Sequence, residues 1–545
     1  MPAIKSLSIL LPILLCLFLP GFDTRAISQT PLPCADWPMR NANERRTGQS
    51  LAKGPGNCKS VWKYCAEGGA AINIEPTVTT DGVFFGTWGL VRRHGPNPES
   101  WDKMDGKLYG LHLHSGAQLW DPIVPRRNPY KHPLSAYGHH QNIGGHLHGL
   151  RGRTTPAQHR LNYYNGTVEG TPAYDRNNGR LYWGRGDGTL YAQDAVTGKL
   201  IWWFETIDPA KPGAPETGGE IVGGPVIGKD GVIFFATFAA PQQQGIAHHE
   251  TNAVYAVSSE GRMLWRFPER GSLGNPFVAP IALSEDGTRL YAVTALVKDV
   301  KLGQVFALNA ATGKPSCSLD LPDVGGQDLA VGKDGIVYIA GMKRVGFTIV
   351  PQMMALKDEG HRFTTLWGPI LIDGMRSHTH FAGGLALKEE GNRVKQVLVS
   401  STSLRNANST GGQLHIMNPA SGQIIASWNP QTATPPSIGG LTDVTVDRNG
   451  RLFVGVRGRK AVLRAPAHNG RMYALNFREG KFDVLWSLEV DGQIDWASPA
   501  VGPDGGLYFG STAHFPELAI LIPQDPLKKA PGTNAYFYGV HELPE

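Results

Sequence analysis

Apolar and polar residues alternate along this chain in short runs, and Asp-Gly or Asn-Gly pairs separate the runs. Period-two alternation places every second side chain on one face of a strand, and the Gly-containing pairs supply the tight turns that hairpins need. The clearest stretch reads Gly170-Thr-Pro-Ala-Tyr-Asp175, Gly179-Arg-Leu-Tyr-Trp-Gly-Arg185, Gly188-Thr-Leu-Tyr-Ala-Gln-Asp194 and Thr197-Gly-Lys-Leu-Ile-Trp202. Four such strands joined by hairpins make one antiparallel blade of a β-propeller.

The unit recurs, which makes the repeat the organising signal. Its third and fourth strands return as Gly106-Lys-Leu-Tyr109 to Trp120, Asn252-Ala-Val-Tyr255 to Trp265, Gly303-Gln-Val-Phe306 to Cys317, Met353 to Trp367, Gly412-Gln-Leu-His415 to Trp428 and Gly470-Arg-Met-Tyr473 to Trp486. Its first two strands recur around Asp81-Gly82, Asp230-Gly231, Asp286-Gly287, Asp334-Gly335, Glu390-Gly391, Asn449-Gly450 and Asp504-Gly505. An eighth unit, begun near Ala497, ends at Tyr536–Val540 without a tryptophan strand, and residues 59–64 with Trp62 supply the missing piece. The pattern therefore predicts an all-β, eight-bladed propeller of four-stranded antiparallel blades, the last blade closed by an N-terminal strand. Closure removes two free sheet edges. The expected boundaries are a leader at 1–26, an N-terminal extension at 27–57 and the propeller at 58–545, with an insertion at 121–168.

Composition agrees: 68 Gly and 40 Pro with only 18% charged residues suit many strands and turns. The net charge of +6 is not clustered, which excludes the basic patch of a nucleic-acid binder. Lys5, an apolar run from Leu7 to Leu19 and the small residue Ala26 have the order of a secretory signal peptide, so the mature protein is expected in a periplasm or outside the cell, without a membrane span. Mature cysteines are Cys34, Cys58, Cys65 and Cys317. A strand between Cys58 and Cys65 keeps those two about 23 Å apart. Two arrangements remain: a bond from Cys34 to one of them with Cys317 free, or four unpaired thiols. Asn165-Gly-Thr167 and Asn408-Ser-Thr410 are glycosylation acceptors only in a eukaryotic secretory route.

The run Ala192-x-Asp194-x-x-Thr197-Gly198-x-x-x-Trp202 resembles the tryptophan-docking repeat of the pyrroloquinoline-quinone (PQQ) dehydrogenases and their non-enzymatic relatives. Asp36-Trp-Pro-Met39 before Arg46-Thr-Gly48 is similar to the N-terminal segment of several such proteins, and the likeness extends over residues 36–545. Trp120, Trp202, Trp265, Trp367, Trp428 and Trp486 are accordingly expected between blades, each worth about 2–3 kcal/mol of burial.

In a propeller the innermost strands line an axial channel, so residues just before them are the candidates for chemistry. These are Asn73 and Glu75, Glu169, Glu220, Asn275, Gln327, His378 with His380, Asp443, and Asp495 with Trp496. Carboxylates converging on one axis repel unless a cation or a shared proton intervenes. The resemblance implies PQQ with Ca²⁺ held by a Glu, an Asn and an Asp. Glu220, Asn275 and Asp495 are the expected metal ligands, with Glu169 and Asp443 as alternatives for the Glu and the Asp; Glu169, Glu220, Asn275, Gln327 and Trp496 are expected around the cofactor. Asp443, Asp495, His378 and His380 are expected to serve proton transfer. In the resembled enzymes Ca²⁺ polarises the quinone and an Asp takes the alcohol proton as hydride moves.

Two departures weigh against the enzyme. No two cysteines are adjacent, and no Cys-x-x-Cys-His haem site is present, so an electron acceptor has to be a separate protein. The insertion at 121–168 carries His132, His139, His140, His146, His148 and His159, and offers imidazole for Zn²⁺ or Cu²⁺. Three functions thus fit the sequence. The first is a quinoprotein-like oxidoreductase acting on an alcohol or sugar-like small molecule. The others are a non-catalytic scaffold binding partner proteins, and a His/metal-dependent hydrolase or lyase on the same fold.

Overall fold

The computed structural model describes residues 35–66, 72, 74–87, 106–123, 168, 170–185, 188–206, 221, 223–237, 252–269, 281–294, 302–345, 348–372, 380–403, 411–458, 468–494, 498–512 and 535–543. Its strands form eight separate antiparallel sheets in chain order, an eight-bladed β-propeller. Blade two shows the plan: Ala173–Asp175 innermost, then Arg180–Gly184, Thr189–Asp194 and Leu200–Glu205 outermost. Burial falls outward as the sequence pattern requires. The first three strands are almost wholly buried, while Leu200–Glu205 is largely exposed or half-buried.

Seven blades have four strands. Blade one has three, and its fourth is reduced to isolated bridges from Leu108 to Ile123 and from Leu111 to Gln118. Blade eight combines Ala500–Val501, Leu507–Gly510 and Tyr536–His541 with Ser60–Cys65 from the other end of the chain. Trp62 pairs with Gly539 in that ladder, so the ring closes as the repeat predicts.

Tryptophans join the blades by a recurring contact. The indole N–H of Trp62 donates to Leu113 O at 2.9 Å, Trp120 to Ala195 O at 3.1 Å, Trp202 to Ser259 O at 2.8 Å, Trp265 to Ala310 O at 2.9 Å and Trp367 to Pro419 O at 2.8 Å. Each carbonyl lies in the turn before the outermost strand of the following blade. A Cβ added at Gly198 of that turn in blade two would stand 2.8 Å from the Trp120 ring, so the Thr-Gly pair is needed for the approach as well as the turn. Trp486 donates to Pro55 O, and Trp428 meets Tyr473 edge-on. Blade four lacks the tryptophan. Cys317 stands there beside Asp358, which binds Tyr291 at 3.1 Å and Arg289 at 3.3 Å, a polar joint in place of an aromatic one.

The bond expected from Cys34 to Cys58 or Cys65 does not form, because Cys58, Cys65 and Cys317 are all free thiols. Cys65 is fixed opposite Tyr536 by the ladder, while Cys58 packs half-buried with its Sγ 4.0 Å from Ser487 O. No helix among the described residues is long and apolar enough to cross a membrane. The leader, residues 124–167 of the insertion with all of its histidines, and both glycosylation sequences lie outside the described residues.

Candidate functional site at the propeller hub

An innermost strand has one edge paired within its blade and one edge facing the axis. Unpaired backbone groups there are costly when buried. Residues 37–50 meet that requirement by running past blade after blade. Trp37 exchanges both backbone bonds with Val78 of blade one, and Tyr174 of blade two donates to Pro38 O. Leu283, Val331, Leu387 and Val446, from blades four to seven, donate to Glu44, Arg45, Thr47 and Gly48 respectively. Arg46 reaches blade three through Gly224 O at 3.0 Å, and Ser50 Oγ reaches Val501 O of blade eight at 3.4 Å. Asn41, Ala42 and Arg46 hold positive φ of 53°, 72° and 60°. A non-glycine backbone keeps such values only where surrounding contacts over-determine them.

Along the innermost strands this segment meets three carboxyls, two just before a strand and Asp328 within one. Glu75 accepts from the Trp37 indole and, at 2.7 Å, from the Asn41 backbone N–H. Asp328 accepts from Asn41 Nδ2 at 3.3 Å and from the Leu385 N–H at 3.0 Å. Asp443 lies 3.4 Å from Arg40 Nη2. The chain makes room for it with Gly384, where a Cβ would fall 1.8 Å from the Asp443 carboxyl carbon. Arg46 is wholly buried and donates to Ile281 O at 3.1 Å, Arg40 O at 3.0 Å and Gly224 O.

The layer splits its protons unevenly. Burial pushes Glu75 up to about 8, aided by Asp443 and opposed by Arg40 and the two donors. Burial raises Asp328 to about 6, against the pull of Arg40. Burial disfavours the charge on Arg40, but Asp328, Asp443 and Glu75 outweigh it and hold its pKa above the ordinary value. Burial and then Arg40 push Arg46 down to about 9, which leaves it protonated at neutral pH. Glu75 therefore keeps its proton at neutral pH and adds no negative charge opposite the two guanidinium groups. Glu75 Oε2 and Arg40 Nε are buried without hydrogen-bond partners. The Arg40 and Asp443 side chains remain 25% and 16% exposed, so solvent reaches this pair.

Of the residues singled out from the sequence, Asp443 and Glu75 come together here. Gln327 and His380 lie on innermost strands, but only their backbone is described. Asn73, Glu169, Glu220, Asn275, His378, Asp495 and Trp496 lie outside the described residues. Asp328, Arg40, Asn41 and Arg46 were not anticipated. A β-bulge between Gly326 and Asp328 shifts the alternation by one residue, which strict period two cannot foresee. The three arginines and two asparagines of Arg40–Arg46, in a stretch without alternation, were the available signal.

A family model described as "Outer membrane protein assembly factor BamB" matches residues 104–316 and 250–522, together more than half of the chain. The chain belongs to the PQQ-like β-propeller repeat family. No curated protein sequence matches it. Among solved structures, this PQQ-like propeller resembles a europium-containing methanol dehydrogenase at 14% identity and a TM-score of 0.53, covering 93% of this chain and 98% of that one. It also resembles the quinohemoprotein alcohol dehydrogenase from Comamonas testosteroni, at 13% identity and a TM-score of 0.55, over 94% and 82% of the two chains. A third likeness is to quinohemoprotein alcohol dehydrogenase ADHIIG from Pseudomonas putida HK5, at 13% identity and a TM-score of 0.53, over 94% and 81%. At such identities the PQQ-like propeller shares a fold with these enzymes, and its chemistry has to be argued from its own residues.

Those residues discriminate between the two groups expected from the sequence resemblance, PQQ and Ca²⁺. The Arg40 guanidinium fits a quinone or carboxylate oxygen as acceptor. Calcium does not fit the described layer, although carboxylates are its usual ligands. Arg40 and Arg46 already occupy the positive positions there, and a divalent ion would be repelled by both.

Proposed function

We propose that this PQQ-like propeller is an exported, quinoprotein-like oxidoreductase that oxidises an alcohol or sugar-like small molecule at the mouth of its hub. One observation carries the reading. Asp443, partly open to solvent, is ion-paired with Arg40 beside Glu75 and Asp328, the two carboxyls that burial raises. Groups pushed apart in proton affinity within one site are the usual arrangement for acid–base work. Asp443 takes the substrate hydroxyl proton, and Arg40 orients the carboxylate and offers donors to an anionic ligand. PQQ, when bound, supplies the hydride acceptor. The methanol and alcohol dehydrogenases among the similar folds support the substrate class. Glu169, Glu220, Asn275, Gln327 and Trp496 are proposed to hold the quinone, and Glu220, Asn275 and Asp495 a Ca²⁺. His378 and His380 are proposed to pass protons. Electrons leave to a separate acceptor protein.

A scaffold that binds partner chains is the second reading, and one surface feature favours it. The outermost strands of blades two and three expose Leu200, Ile201, Trp203, Met263 and Leu264 by 37%, 41%, 42%, 53% and 52%. Neighbouring apolar outer edges of this kind suit strand addition. Adding PQQ and Ca²⁺ to the purified mature protein decides the matter. The enzyme binds one quinone per chain and reduces an electron-accepting dye when given alcohol. Absence of quinone uptake removes the enzyme reading.

A further inference from the structure

The seam where the ring closes carries a second cluster of chemistry, well apart in sequence from the hub residues. Asp504 sits in the turn between the first two strands of blade eight, and His541 ends the third strand of that blade. His114 follows the third strand of blade one. His114 Nδ1 lies 3.6 Å and His541 Nδ1 3.7 Å from Asp504 Oδ2, and the three ligand atoms all fall within 4.8 Å of one another.

The repeat explains Asp504 and leaves the histidines unexplained. Asp-Gly turns recur around the ring, and Asp230, Asp286 and Asp334 accept backbone N–H bonds there just as Asp504 Oδ1 accepts from Gly506 N–H at 3.1 Å. Two imidazoles beside such an aspartate occur, among the described residues, only at this seam. Asp504 is also held from behind, since the Tyr508 hydroxyl donates to its Oδ2 at 2.6 Å. Ligating carboxylates are commonly fixed by an outer hydrogen bond of that kind. His541 is half-buried, with its ring packed edge-on against Tyr508 and beside the His114 ring. Burial and then the neighbouring His114 lower the pKa of His541, against the pull of Asp504.

We propose that His114, Asp504 and His541 form a site for a first-row divalent metal ion, Zn²⁺ by preference, that links blade eight to blade one across the closure of the ring. Two imidazole nitrogens and one carboxylate oxygen are borderline donors suited to zinc, with a fourth position open to water. Ligands about 2.0–2.1 Å from zinc stand roughly 3.3 Å apart in a tetrahedron. The Asp504 contacts need to shorten by only a few tenths of an ångström, and His114, 78% exposed, is free to supply the rest. The ion would bind the closed ring and not the open one, so it stabilises closure by mass action.

The test uses the full mature chain, stripped with EDTA and then titrated with Zn²⁺ alone. Because the chain carries 18 histidines, the readout is a difference between proteins. Wild type is expected to bind one more equivalent of zinc than His114→Ala or His541→Gln. Its Tm is expected to rise on the order of 2 °C with zinc and to return on chelation, while both variants stay unmoved. Co²⁺ in place of zinc is expected to give visible tetrahedral bands that His114→Ala loses. Equal zinc stoichiometry and equal Tm shifts in wild type and His114→Ala would overturn the site. His114 is exposed enough that its loss leaves folding intact.

Discussion

Arg45 and Glu389 meet in a two-pronged ion pair, both N–O distances 2.8 Å, although 344 residues separate them. Both side chains are nearly buried, and Arg45 also donates to Val331 O at 2.9 Å and pairs with the more exposed Glu285. The pair binds the N-terminal segment to blade six. Breaking a buried pair from one side leaves an uncompensated charge, which typically costs about 3–5 kcal/mol. Arg45→Ala is therefore expected to lower the denaturant midpoint sharply. Replacing both members with apolar residues of similar size should recover much of the loss, and chemical denaturation of the three variants checks this.

Tryptophan docking can be separated from turn strain by two glycines of nearly equal conformation. Gly179 and Gly198 have φ of 67° and 68°, but a Cβ at Gly179 meets nothing within 4 Å, whereas one at Gly198 strikes the Trp120 ring. Gly179→Ala is expected to cost about 1 kcal/mol for its backbone alone. Gly198→Ala should cost about 1–3 kcal/mol more by displacing the indole. Equal losses in thermal unfolding would remove the docking role.

The raised affinity of Glu75 for its proton makes stability depend on pH. Its folded pKa, about 8, lies above the ordinary carboxyl value, so the folded state holds a proton that the unfolded state has released. The contribution is whole below about pH 4.5 and is lost as pH rises toward 8, at about 1.4 kcal/mol per pH unit. Asp328, raised to about 6, acts in the same direction over the lower part of that range. Glu75→Gln keeps the oxygen that Trp37 and Asn41 address and cannot ionise. Its unfolding free energy should vary less between pH 5 and 8 than that of wild type, measured by urea titration at each pH.

Turnover probes the hub differently. Asp443→Asn is expected to keep quinone uptake and to lower the rate of dye reduction by about 10²–10⁴-fold, the usual contribution of a general base. A variant with unchanged turnover would move the proton transfer elsewhere.

The frame of this molecule was legible because it repeats. Period-two strands, Asp-Gly turns and tryptophans at fixed offsets point to the blades, and the orphan strand around Trp62 falls where the last blade lacks one. The hub was only partly legible. Asp443 and Glu75 follow from repeat position, but Asp328 depends on a bulge at Gly326 that the surrounding pattern does not mark. Arg40, Asn41 and Arg46 belong to a stretch that repeats nothing, so its partners are set by tertiary geometry alone.

Residues 37–50 act as a mandrel, because strand edges from one end of the chain to the other are fastened to them. Synthesised early, this stretch acquires its last partners only when Val446 and Val501 arrive. Assembly of the wheel must therefore wait for the C-terminal blades. Such long sequence separations slow folding and leave intermediates with uncovered strand edges.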